Sequence, residues 1–294
     1  MLHMKPAVFE YYDPTTLSEA LNLLAQLGGT ARPLAGGQSL VPMMNLRLAR
    51  PSQLIDLNRI AELSYLRVEN GELRVGAMTR QREIERSATV AERWPLLREA
   101  TGYIGHVQIR NRGTVGGSLA HAYPSAELPV VMCALGAVFV LRSQRGERSL
   151  NAKEFFVGPM TTVLEPDELL IEVRVPPLPP RTGWAFQEIS RRFGDFALMA
   201  VGGLLTLDET GVIQQARLAF TDSTPMRPES AEKRLLGRRP GSDLFYEVAG
   251  VAARDLNPDA DIHASAEYRR EVARVLARRV LAQAAERAQA SSEA

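Results

Sequence analysis

The chain has 294 residues, 45% of them hydrophobic and 23% charged, a mix that suits packed domains and argues against a disordered tail or a fibrous repeat. At roughly 100–200 residues per domain this length suggests two or three packed units. Lys and Arg number 35 against 34 Asp and Glu, a formal charge of +1, so there is no bulk electrostatic footprint for nucleic acid or an anionic membrane.

At the start of the chain, Met1-Leu2-His3-Met4-Lys5-Pro6 lacks the apolar stretch of a secretion signal. The longest apolar run, 128–141, is interrupted by Pro129 and Gly136 and falls short of the ~20 residues of a membrane span. The expectation is a soluble, cytoplasmic protein. Thr16 and Glu19 have capping-box spacing, Leu17, Ala20, Leu21 and Leu24 share one face, and Gly28 supplies a stop, which together predict a helix. Strands are expected over 31–35 and 53–57, on either side of 40–48. Asn70-Gly71 is a hairpin-type turn before a strand over 73–76, and helices follow over 80–86 and 95–101. From Gly113 the chain is glycine-rich, then predicts a helix over 125–135 and an apolar strand over 137–141. Cys133 lies on that helix as a buried, inert thiol, and a single cysteine excludes both an internal disulfide and a Cys-rich zinc or iron–sulfur site carried by this chain. The proline run 176–180 is stiff and extended, and a domain boundary is placed there. Beyond it, 184–190, 198–207 and 212–220 read as an antiparallel meander with Asp208-Glu209-Thr210-Gly211 as one hairpin. Helices are expected over 228–236, 243–256 and 266–288. The last carries apolar Val272, Val275, Leu276, Val280 and Leu281, and its arginines read as a solvated face.

Two segments share a pattern: an extended lead-in, paired glycines and a nearby hydroxyl. They are Leu34-Ala35-Gly36-Gly37-Gln38-Ser39-Leu40 and Arg112-Gly113-Thr114-Val115-Gly116-Gly117-Ser118-Leu119. Paired glycines let a backbone approach a ligand closely, and with φ > 0 they aim successive N–H groups at one anion. With Ser39, Thr114 and Ser118 as hydroxyl donors, the two segments suit a diphosphate gripped from both sides. The alternative is plain turn chemistry, since Gly28-Gly29 and Gly202-Gly203 are pairs with no assigned ligand. There is no G-x-G-x-x-G after a strand, no G-x-x-x-x-G-K-[ST] and no complete G-x-S-x-G elbow.

The stretches Ala35 through Met44, Gln108 through Ala120 and Pro124 through Pro129 resemble the FAD-binding medium subunit of molybdenum hydroxylases, the carbon monoxide dehydrogenase and xanthine dehydrogenase family. Ser190-Arg191-Arg192 with Gly194-Asp195-Phe196 adds to the resemblance, which spans nearly the whole chain. It implies an α+β protein: a two-lobed FAD-binding domain of the vanillyl-alcohol-oxidase (PCMH) type over 1–177, with lobes about 1–57 and 58–177, then a C-terminal α+β domain over 178–294 with a three-stranded antiparallel sheet and helices. Residue by residue, it places Leu34, Ala35, Gly36, Gly37, Gln38, Ser39 and Leu40 in a first FAD loop and Thr114, Val115, Gly116, Gly117 and Ser118 in a second. Glu127 takes the place of a family acidic residue, expected nearer the sugar or another donor than the diphosphate; the alternative is a surface glutamate favoured at a helix start. Leu170 sits where the family makes a backbone contact to flavin, or is simply core. Gln187 stands where similar xanthine dehydrogenases carry lysine, and Tyr123 where an acidic or small residue is frequent.

Non-covalent FAD is expected, because neither glycine segment carries a His, Cys or Tyr to attach it, and no catalytic residue or metal site is assigned to this chain. The resemblance implies as partners a large molybdopterin subunit and a small [2Fe–2S] subunit, assembled as a dimer of heterotrimers. His106 and His121 flank the second segment without a third ligand and read as polar or packing residues. The leading function is electron transfer from partner clusters through FAD to an external acceptor. A stand-alone FAD oxidase or dehydrogenase and a scaffold that has lost its flavin are the alternatives.

Overall fold

A computed structural model describes residues 5–290, so Met1-Leu2-His3-Met4 of the expected non-signal start lie outside the described residues. The first lobe is built on the predicted helix Leu17–Leu27. The Thr16 side chain accepts from the Glu19 amide while Glu19 reaches back to the Thr16 backbone. Leu17, Ala20, Leu21 and Leu24 are buried, and Gly28 ends the helix at φ 58°. This helix covers a three-stranded parallel sheet in the order Glu10–Tyr12, Gln53–Asp56, Ala31–Leu34. Parallel pairing demands a crossover between strands, and here helix Leu40–Asn45 provides one.

The second lobe is an antiparallel sheet in the order Leu66–Glu69, Glu72–Gly76, Leu169–Val175, Val138–Ser143, Gly146–Asn151. Asn70 (φ 52°) and Gly71 (φ 84°) make the predicted hairpin turn, both in the left-handed region that such a two-residue turn requires. Helices Gln81–Arg86, Pro95–Thr101 and Glu127–Leu135 stand where the sequence places them. Helices Ala88–Arg93, Val107–Arg112 and Val115–His121 were not expected, because each is only six or seven residues long and shows less than two turns of apolar periodicity.

The C-terminal part is the expected antiparallel meander, Thr182–Ser190, Ala197–Leu207, Ile213–Phe220, with Asp208 accepting from the Thr210 and Val212 amides at its hairpin. The central strand is buried along almost its whole length because the sheet is covered on both faces. On one face Phe186, Ala200, Leu204 and Ala219 join the core of the second lobe around helix Glu127–Leu135. On the other, Val201, Leu205 and Leu218 pack with helices Glu229–Leu235, Ser242–Asp255 and Ala266–Ala290. Val275 is only half-buried on the last helix, beside buried Val272, Leu276, Val280 and Leu281. The arginines of that helix are not merely solvated. Arg269 donates to the Leu198 carbonyl at 2.5 Å, Arg270 to the Leu256 carbonyl at 3.1 Å, and Arg287 to both Glu99 (2.7 Å) and the Trp184 carbonyl (2.8 Å). No helix among the described residues is long and apolar enough to cross a membrane.

Candidate functional site

The two glycine segments meet. The first leaves the end of strand Ala31–Leu34, and the second opens helix Val115–His121. A Cβ on Gly36 would run into the Arg112 carbonyl and lie 2.8 Å from the Gly113 Cα, so only glycine lets these backbones touch. A Cβ on Gly117 would lie 2.6 Å from Thr114 Oγ1 and 3.2 Å from the Ala35 Cβ, and one on Gly116 would lie 2.5 Å from the Ala77 Cβ. The expectation that both pairs use positive φ is therefore corrected. Gly37 alone of the four has it, at 74°, while Gly36, Gly116 and Gly117 are required by close approach.

The amides divide the work unequally. Val115 donates to the Thr79 carbonyl at 3.0 Å, Gly116 to the Ala77 carbonyl at 2.8 Å, and Gly117 to Thr114 Oγ1 at 3.0 Å. The first turn of the second segment is thus satisfied within the chain, and the N–H cradle expected there is corrected: these residues form a wall. Among the described residues, the amides of Gly36, Gly37, Gln38 and Ser39 have no acceptor within the chain. Four successive donors in one bend are what an anionic group needs. Thr114 caps its helix, so its oxygen is already an acceptor, and the residue is buried. Ser39 is exposed and Ser118 half-buried, leaving both hydroxyls available to the site.

Two residues missed in the sequence brace this meeting point. Asn58 Nδ2 donates to the Ala35 carbonyl at 2.9 Å, and Arg80 donates to Asn58 Oδ1 at 2.7 Å and to the Arg112 carbonyl at 2.6 Å. Burial, together with repulsion from Arg112, lowers the Arg80 pKa. Nothing local in the sequence marks Asn58 or Arg80, since each acts over more than 20 residues.

The remaining expected residues scatter. Glu127 is buried at the start of its helix, which rules out the surface-glutamate alternative; burial pushes its carboxyl up to about 7 against a weak opposing pull from Arg110. Leu170 is buried in the core, at a bulge in strand Leu169–Val175 where the Ile171 carbonyl accepts from Ala77. Gln187 is half-buried on strand Thr182–Ser190. Strand alternation puts it on the face of Ala185, toward the C-terminal helices, whereas Glu188 shares the face of Phe186 toward the second lobe. Alternation from Phe186 sets the face of Glu188, but nothing in the sequence marks it as part of a site. Tyr123 stacks on His121 (centroids 6.1 Å) and leans on Phe196 (4.5 Å), tying the end of the second segment to the loop after strand Thr182–Ser190. His106 lies against Gly194 in that same loop. Cys133 is buried, its thiol pushed up to about 12 by burial, as an inert core residue should be. No cluster of three metal-capable side chains occurs among the described residues.

Free amides, nearby guanidiniums and a glycine-walled groove fit a diphosphate. A two-lobed domain with such a groove, followed by a meander covered by helices, defines a flavin-carrying class of electron-transfer proteins. Residues 7–178 match the family described as the FAD binding domain in molybdopterin dehydrogenase, and residues 184–284 match the CO dehydrogenase flavoprotein C-terminal domain. The chain belongs to the molybdenum hydroxylase FAD-subunit family. It is 42% identical over 292 residues to the 6-hydroxypseudooxynicotine dehydrogenase complex subunit alpha of Paenarthrobacter nicotinovorans, covering 99% of each. It is 41% identical to the caffeine dehydrogenase subunit beta of Pseudomonas sp. (strain CBB1), covering 97% of each. A carbon monoxide dehydrogenase chain from Hydrogenophaga pseudoflava superimposes with a TM-score of 0.93 at 39% identity, over 96% of this chain and 99% of that one.

Proposed function

We propose that this chain is the FAD-binding electron-transfer subunit of a multi-subunit molybdenum hydroxylase, and that it works in the cytoplasm. The observation that carries the reading is the row of unpaired amides at Gly36 to Ser39, set beside Arg80 and walled by Gly116 and Gly117 in a family defined by FAD. When bound, FAD accepts electrons singly and discharges them in pairs. The protein's part is to hold it. Gly36, Gly37, Gln38 and Ser39 donate main-chain N–H groups to the diphosphate, Leu34, Ala35 and Leu40 frame that bend, and Ser118 adds a hydroxyl. Thr114 and Val115 fix the facing wall, Glu127 meets the sugar, and the Leu170 bulge presents backbone to the ring. Gln187 offers the flavin site a neutral amide where a lysine would bring charge.

The relatives named above are subunits of larger dehydrogenases, which favours electron transfer over the stand-alone oxidase reading. The partners are a large molybdopterin subunit and a small [2Fe–2S] subunit, assembled as a dimer of heterotrimers. The chain divides at residue 177, with lobes meeting near residue 57. The test is reconstitution. The purified chain should be yellow, release its flavin on acid denaturation, and show no turnover of organic substrates until both partners are added. Robust substrate oxidation by the single chain would favour the oxidase, and flavin retained on the precipitate would point to a covalent bond, with His121 the first residue to replace.

A further inference from the structure

Glu127 and Glu188 come from different halves of the molecule to one place. A Cβ on Gly202, which pairs with Phe186 in the meander, would lie 3.6 Å from Phe186 and 3.8 and 3.9 Å from Val130 and Val131. Helix Glu127–Leu135 therefore crosses the sheet at Phe186. Glu127 lies one turn before that crossing, and Glu188 two residues beyond it on the same strand face. The charge of Glu127 is felt at Glu188. The Glu188 Oε2 is shut off from solvent with no hydrogen-bond partner, and the Glu127 carboxyl is met only by its own backbone amide.

Two of the cations near the pair, Arg110 and Arg287, are committed elsewhere. Arg110 is bidentate to Glu85 and also donates to the Ile104 and Gly105 carbonyls, and Arg287 is held by Glu99 and the Trp184 carbonyl. Tyr103 and Glu99 face Glu188 from the helix Pro95–Thr101 side, and Arg279 stands exposed on the C-terminal helix. With Gln283 these groups line a polar cavity of about 260 Å³ that reaches Glu188. Buried Glu127 and half-buried Glu188, without a dedicated cation, cannot both ionise cheaply, so one proton stays with the pair.

We propose that Glu188 and Glu127 form a two-carboxyl relay that passes protons from this polar cavity to the bound flavin, an inference that rests on the FAD-subunit reading. Overall, two electrons from reduced iron–sulfur clusters and two protons reduce FAD to FADH2, and discharge to a two-electron acceptor returns both protons. Glu127 gives its proton toward the flavin pocket, Glu188 reprotonates Glu127, and water in the cavity reprotonates Glu188. No covalent bond to the protein forms or breaks. Burial raises Glu127 to about 7, and burial with the Glu127 charge raises Glu188 to about 8, so the pair can give and regain a proton near neutrality.

The experiment uses the full-length, FAD-loaded chain. Infrared spectra are recorded against pH, and proton uptake is followed with an indicator dye during rapid reduction by a reduced viologen, which gives up electrons without releasing protons. The wild type should show a protonated-carboxyl band at about pH 6 that fades toward about pH 9. Glu188→Gln should remove the later-fading component and slow proton uptake about tenfold or more at unchanged FAD content, with Glu188→Asp recovering part of the rate. A wild-type chain without the band, or Glu188→Gln with wild-type uptake, overturns the relay alone. A wild-type chain that takes up no FAD overturns the relay and the subunit reading together.

Discussion

Gly36 and Gly37 are neighbours with different reasons to be glycine, and substitution should tell them apart. Gly36→Ala drives a Cβ into the Arg112 carbonyl, a backbone atom that cannot step aside, so the two segments must separate. We expect a loss of roughly 1–3 kcal/mol in stability together with loss of FAD retention. Gly37→Ala meets only side chains, Val41 and Leu34, and is strained mainly by its φ of 74°. It should cost about 1–2 kcal/mol and leave FAD bound more weakly. Urea melts and flavin content of the two variants check this; identical behaviour would contradict the division between contact and conformation. The paired glycines themselves were visible in the sequence. Their reasons were not, because a close approach to Arg112 or Ala77 is made by residues more than 30 positions away.

At the scale of elements, the helix Val115–His121 carries a cap that sets its place in the site. Thr114→Ala removes the acceptor for the Gly117 amide and should cost about 0.5–2 kcal/mol. If the hydroxyl served only as a donor to FAD, stability would stay unchanged and flavin affinity alone would fall; thermal melts of the flavin-free and flavin-loaded chain separate the two. The elements legible in the sequence were those with local signals: the Thr16–Glu19 capping box, the Asn70-Gly71 hairpin and the alternation in the C-terminal meander. Two strands of the first lobe's sheet were legible, over 31–35 and 53–57; Glu10–Tyr12 and the parallel pairing were not, because that strand is three residues long and pairs across a crossover. The short helices around residues 88–121 lie below the length at which periodicity speaks. In the site, the glycine bends could be read from order and spacing, and Glu127 came from the family resemblance. Asn58, Arg80 and Glu188 could not, since their roles exist only once the lobes and the meander have come together.

The whole molecule is a stack in which the meander is shared by two cores, and its stability should register the buried acid within that stack. Glu127 is raised from an ordinary 4.5 to about 7, so between those values the folded state binds more protons than the unfolded chain. Stability is then greatest below pH 4.5 as far as this group is concerned, and it falls as pH rises to about 7, by up to about 3 kcal/mol. Glu127→Gln should flatten that fall, and urea melts at about pH 5 and about pH 8 measure it; an unchanged slope would contradict a raised Glu127. The stack is closed by Arg287, whose guanidinium lies over the Trp184 ring and bonds to Glu99, partners 103 and 188 residues earlier in the chain. Gly183 is pressed against the Ala284 carbonyl, so helix and edge strand leave no gap between them. During synthesis on the ribosome, the meander is therefore exposed with one apolar face bare until the last helix has emerged. The flavin lobes, complete a hundred or so residues sooner, have time to fold before the part that locks them does.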